Sequence, residues 1–144
     1  MMLSNSSKYA IKAVLYLAVN SSVEKKIMVK DITEPINVPQ AYIAKLLQLL
    51  VKENLISSAR GPKGGFYLTK ENLNKTALQI IYTIDGENRF NSCMLSLEKC
   101  DKNKPCPLHK ILSPSRKKIL KKLKNKTIKE LSLELKMGNA FLPL

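Results

Sequence analysis

The chain has 144 residues, of which 44% are hydrophobic, and its 25 Lys and Arg against 11 Asp and Glu give a formal charge of +14. That length implies one domain with a modest core, and that apolar share excludes a chain too polar to fold. The charge calls for a polyanionic partner, nucleic acid ahead of a membrane surface, and its spread over both halves of the chain excludes a mere basic tail.

The first apolar stretch, Tyr9 to Val19, contains Lys12 and is too short to cross a bilayer or to form an export core. It reads as an amphipathic helix over residues 5–20. With no export signal the expected location is the cytoplasm, where clustered cysteines favour metal or redox chemistry over structural disulfides.

"VKDITEPI" predicts a short second helix that stops near Pro35, because proline disfavours a helical residue before it. "NVPQAYIAKLLQLLVKENL" predicts a third helix opened by Pro39. In it Ile43, Leu46, Leu47, Leu50 and Val51 follow the spacing of a buried stripe, and Gln40, Ala41, Ala44, Lys45, Gln48 and Lys52 form the opposite face. Two β-prone runs, Leu55–Arg60 and Gly65–Thr69, flank a Gly-Pro-Lys-Gly turn and predict a hairpin.

Two helices, a turn, a helix and a basic-tipped hairpin make the order of a winged helix-turn-helix, whose third helix enters the major groove of double-stranded DNA. The residues expected at DNA are Gln40, Ala41, Tyr42, Lys45 and Gln48 on that helix, with Arg60 and Lys63 on the wing. Gln suits adenine, Lys suits guanine or phosphate, and Ala suits a thymine methyl. Arg60 fits a minor groove and Lys63 a phosphate. Tyr42 has a second reading, as a ring packed beneath the helix. Gly61, Gly64 and Gly65 serve either close approach to DNA or turn geometry alone.

"TALQIIYTI", residues 76–84, predicts a further helix that ends at Asp85-Gly86. Residues 87–106 lack a sustained period and read as a loop. From Pro107 to about residue 124, Ile111, Leu112, Ile119, Leu120 and Leu123 mark an apolar stripe on a helix otherwise crowded with lysine, which Ser113-Pro114 is expected to kink. The lysines read as a solvated face or as extra phosphate contacts. A last helix is expected over Thr127–Leu135; the tail "AFLPL" suggests no role. The fold class is thus mostly α with a small β-hairpin. It divides into a winged helix-turn-helix head (1–84), a cysteine-containing loop (85–106), and a long dimerisation helix with a C-terminal segment (107–144).

All three cysteines, Cys93, Cys100 and Cys106, and the single histidine, His109, fall within 17 consecutive residues. Three thiolates and one imidazole suit an iron–sulfur cluster or a structural zinc ion, although the tight C-x2-C pair common in zinc sites is absent. Two of the thiols could instead form a redox switch, and His109 could be an ordinary helix-start residue. No other histidine and no placed nucleophile supports catalysis, so an enzyme is not expected; the alternative from another class is a winged-helix module that mediates protein–protein or RNA contacts without operator binding.

"SKYAIKAVLYLA", "VPQAYIAKLLQLLVKENLISSARGPKGGFYL", "CPLH" and the terminal "TIKEL" together resemble the Rrf-type (IscR/NsrR/CymR) family of bacterial winged helix-turn-helix transcription regulators, over about residues 2–135. The resemblance implies a homodimeric DNA-binding protein, and in many members a cysteine loop that holds an iron–sulfur cluster. The cluster-binding members space their cysteines C-x5-C-x5-C; here the spacing is C-x6-C-x5-C-x2-H, one residue longer in the first gap. By the same resemblance His109 occupies the position of a fourth ligand. Lys8 stands where some nitric-oxide-sensing members have an acidic ligand, which favours His109 and a 2Fe–2S over a 4Fe–4S cluster.

Overall fold

The computed structural model describes residues 3–95 and 100–143. The stretch 96–99, inside the expected cysteine loop, and the last residue of the "AFLPL" tail lie outside the described residues.

Helix α1 (Asn5–Asn20) starts at Ser4, whose hydroxyl accepts a hydrogen bond from the Ser7 N–H at 3.0 Å. Its Ala10, Ala13, Val14 and Leu17 are almost wholly buried and form the centre of the core. Small residues here let neighbouring helices approach closely while Val14 and Leu17 fill the space between them. Helix α2 (Val29–Ile36) and helix α3 (Gln40–Lys52) pack on α1 and on each other. Pro35 sits inside α2, one residue before its end. The stop is set by Asn37, which adopts a left-handed conformation (φ 57°) and donates its N–H to the Thr33 carbonyl at 2.8 Å. In α3 the expected stripe is confirmed: Ile43, Leu46, Leu47 and Leu50 are buried, with Val51 half-buried beside them.

Strands β1 (Ser57–Ala59) and β2 (Gly65–Tyr67) form the antiparallel hairpin, with Ser58 opposite Phe66. Ile27 extends it by pairing both backbone groups with Phe66, at 2.9 and 2.8 Å. This third backbone explains one of the glycines, and the hairpin's own backbone explains a second. A Cβ on Gly65 would lie 2.6 Å from the Ile27 carbonyl oxygen, and one on Gly64 would lie 2.3 Å from that of Ala59. Their close approach is to the protein's own backbone.

Helix α4 (Lys70–Leu73) was not expected from the sequence. It exists because Thr69 and Asn72 cap it reciprocally. Helix α5 (Ala77–Asp85) carries the same device through Thr76 and Gln79. A further short helix, α6 (Asn88–Asn91), interrupts the stretch read as loop and buries Phe90. Helix α7 (His109–Asn125) runs through Pro114 without a break. The carbonyl that Pro114 leaves unpaired is that of Lys110, an exposed residue. None of the α7 side chains is buried; its inner face rests on α5 through Ile119, Leu120 and Leu123. Helix α8 (Ile128–Lys136) returns to pack on α1, and Ile128, with no exposed surface, belongs to the main core. No helix among the described residues is long and apolar enough to cross a membrane.

Candidate DNA interface and thiol pocket

Two regions gather the expected functional residues. The first is the outer face of α3 and the hairpin tip. Gln40, Ala41, Lys45 and Gln48 are exposed along α3. Ile43, Leu46, Leu47 and Leu50 anchor the opposite side, so the polar row is turned outward by packing. Arg60 and Lys63 are exposed in the turn between β1 and β2. A rigid helix beside a basic hairpin presents cations and amides on separate elements held by one core, which is what reading a groove while gripping its backbone requires.

Tyr42 does both of the things the sequence left open. It keeps 37% of its surface exposed, yet its hydroxyl lies 2.5 Å from the Ser6 hydroxyl and its ring meets Tyr9 edge-on with centroids 6.0 Å apart. Lys12 sits 5.8 Å from the centre of the Tyr9 ring. Ser6 and Tyr9 thus tie the start of α3 to the start of α1. Sequence reasoning missed them. Their spacing of three puts both on one side of α1, and that was the available signal.

The second region lies between α6 and the start of α7. Cys93, Cys100, Cys106 and His109 all line one pocket, together with Leu112 and Arg116. The cysteines are half-buried and form no disulfide. Cys100 Sγ is 2.9 Å from His109 Nδ1. Backbone bonds fix the frame: Cys100 N–H donates to Asn91 at the end of α6, and His109 N–H donates to Cys106, each at 3.0 Å. The donor set is chemically suited to an iron–sulfur cluster or zinc, with soft thiolates and an imidazole on one lining. Among the described residues, however, no group of three or more Cys, His or carboxylate side chains is arranged to hold a metal ion. The four surround one space without converging on one point.

A carboxylate joins the end of α5 to the start of α1. Asp85, at the end of α5, accepts hydrogen bonds from the Ser4 backbone N–H at 3.1 Å and from the Ser4 hydroxyl. Burial pushes the Asp85 carboxyl up, but Ser4, Ser7 and the charge of Arg89 outweigh it and hold the acid below its ordinary value. Ser7 Oγ is buried with no partner at hydrogen-bond geometry, so its influence on Asp85 is that of a nearby dipole rather than a formed bond.

Known proteins match this architecture along nearly its whole length. The family model described as Rrf2, iron-dependent transcriptional regulator, matches residues 3–134. An HTH-type transcriptional regulator of Aquifex aeolicus is 31% identical over 133 residues, 91% of each chain. The HTH-type transcriptional regulator IscR of Pectobacterium atrosepticum is 30% identical over 131 residues, covering 91% of this chain and 79% of that one. Among solved structures, CymR, the global cysteine regulator of Bacillus subtilis, superposes with a TM-score of 0.73 at 22% identity, over 91% of this chain and 95% of that one.

Proposed function

The chain belongs to the Rrf2 family of transcriptional regulators, which are not enzymes, and from that premise we propose that it is a cytoplasmic, homodimeric, sequence-specific DNA-binding regulator that senses through an iron–sulfur cluster in the Cys93, Cys100, Cys106 and His109 pocket. In this reading Gln40, Ala41, Lys45 and Gln48 face base edges, Tyr42 sets the angle of that helix, and Arg60 and Lys63 take the adjacent groove and backbone. Residues 1–84 form the reading head, 85–106 the sensory segment, and 107–144 the dimerisation helix and its return.

The observation that carries the sensory part is the shared pocket: every thiol and the one imidazole of the chain line it. When bound there, a 2Fe–2S cluster would supply a redox-active group sensitive to oxidants, ligated by the three thiolates and His109. His109 opens α7, so drawing the four donors together moves the start of that helix relative to Cys100 and α6. The far half of α7 is fixed to the head through Ile119, Leu120 and Leu123. Ligation thereby biases the angle between helix and head, and with it the spacing of two heads in a dimer. The dimer is supported by large apolar side chains left in solvent: Ile111 on α7 is 67% exposed, and Met94 and Leu95 in the segment before it are exposed too.

Anaerobic purification, with visible absorption and iron and sulfide analysis, tests the cluster. About two irons and two sulfides per chain are expected. A colourless protein holding one zinc per chain contradicts the cluster in favour of the zinc reading. The Cys100–His109 contact favours one further reading, a metal-free thiol switch, because it sets the Cys100 thiol apart from the other two. Colourless, metal-free protein in which Cys100 alone reacts with a limiting alkylating agent is the signature of that reading.

A further inference from the structure

Helix α7 and the residue after it carry eight basic side chains between Lys110 and Lys126 and no acidic one. Helical spacing places Lys117, Lys121 and Lys124 in one row, which borders the apolar stripe of Ile119, Leu120 and Leu123. All three lysines are exposed. Lys117 and Lys121 are four residues apart, as are Lys118 and Lys122, so like charges face each other along the helix. Among the described residues the one ion pair is Lys126–Glu130 at 3.6 Å, beyond the end of α7. A face needed only for solubility would interleave acids at these spacings; this one concentrates positive potential.

The row also has a fixed place relative to the reading helix. Ile119, Leu120 and Leu123 share an apolar cluster with Leu3 and Ile11 at the start of α1. The end of α7 is pinned by the Thr76–Thr127 bridge and by the Ile128 N–H to the Lys75 carbonyl at 2.7 Å. The same half of α1 touches α3 through Ser6, Tyr9 and Tyr42. Lys8 and Lys12 lie on the ridge of α1 between these two contacts. Basic surface therefore runs from the reading helix, over α1, onto α7.

We propose that the row Lys117, Lys121 and Lys124 is a second DNA contact, which grips phosphates of the same duplex that α3 reads and carries no sequence preference of its own. The proposal rests on the DNA-binding reading above. Lysine is well matched to such a grip, because its flexible ammonium is a point charge that follows a phosphate without demanding bidentate geometry. Each contact releases condensed counterions, so it acts on the salt dependence of affinity rather than on base discrimination.

The test compares the full-length protein with the K117Q/K121Q/K124Q variant by fluorescence anisotropy, from about 50 to 200 mM salt. One duplex carries a site obtained by unbiased selection with the wild type, and the other is a scrambled duplex of equal length. The slope of log affinity against log salt should become shallower by about 5 on both duplexes, roughly 0.9 for each of the three contacts in both protomers of the dimer. The ratio of site to scrambled affinity should stay within about twofold, because phosphate contacts do not discriminate sequence. The K117Q variant alone should lower the slope by about two, one contact from each protomer. An unchanged slope overturns the second contact while leaving operator binding intact. A loss of site preference together with slope overturns the claim that the row is sequence-independent. Salt-independent binding by the wild type overturns both this contact and the DNA reading beneath it.

Discussion

Replacing Asn72 with alanine should loosen the wing without touching any surface residue. Asn72 is 4% exposed and joins three segments through its side chain. Its carbonyl oxygen accepts from the Ser57 hydroxyl at 2.7 Å, and from the Thr69 N–H and hydroxyl at 3.0 Å each; its amide donates to the Asn54 carbonyl at 2.9 Å. Asn54 is the left-handed residue (φ 57°) that turns the chain from α3 toward the wing, and Ser57 begins β1. Each such bond contributes about 1 kcal/mol net, and alanine would leave buried partners unsatisfied. Allowing for water reaching the half-buried Ser57, the loss is about 2–4 kcal/mol. For a chain of this size that corresponds to roughly 8–15 °C in melting temperature. Urea and thermal unfolding followed by circular dichroism measure it, and a double-mutant cycle with Ser57→Ala isolates the bond between α4 and the wing. A cost below about 0.5 kcal/mol, the range of ordinary surface changes, would refute the brace.

Other expectations follow from the same geometry. Ile128→Ala should cost about 3 kcal/mol in urea unfolding, because a fully buried side chain leaves a cavity in the core of the head; a neutral result would mean that α8 is not part of that core. Asp85→Asn should lower stability at pH 7 by about 1 kcal/mol after allowance for solvent screening. Since the folded Asp85 is held below its unfolded value, its contribution is present above about pH 4 and is lost as the pH falls through the folded value. The gap between wild type and variant should therefore narrow in urea titrations taken to about pH 3 and below, and a gap that stays constant there contradicts the pairing with Ser4. Arg60→Ala should weaken binding to a selected duplex by about ten- to a hundredfold in anisotropy titrations, with the melting temperature unchanged, since Arg60 is exposed.

Much of the head was legible in the chain because its signals are local. The stripe from Ile43 to Leu50 repeats with the helical period, and Gly-Pro-Lys-Gly marks the hairpin. Helix α4 escaped because four residues cannot display a period, and its capping partner is Asn72 rather than the Glu or Gln the usual pattern carries. Ile128 read only as part of a last helix; its place in the main core depends on a return across α1 that no local pattern encodes. Tyr42 was ambiguous for the same reason, since its partners Ser6 and Tyr9 lie more than thirty residues away. The thiol pocket was half legible. Proximity in sequence brought the four donors to one pocket, but the closeness of Cys100 to His109 depends on how α6 and α7 frame the segment between them.

The most direct test of the central claim is a binding titration of anaerobically purified protein to its selected duplex, with the cluster retained and again after its removal by a chelator under reducing conditions. A dimer is expected in both states, with a change in affinity for the selected duplex between them and scrambled-duplex affinity little altered. Equal affinity for the selected duplex in the two states would contradict a sensory role for Cys93, Cys100, Cys106 and His109.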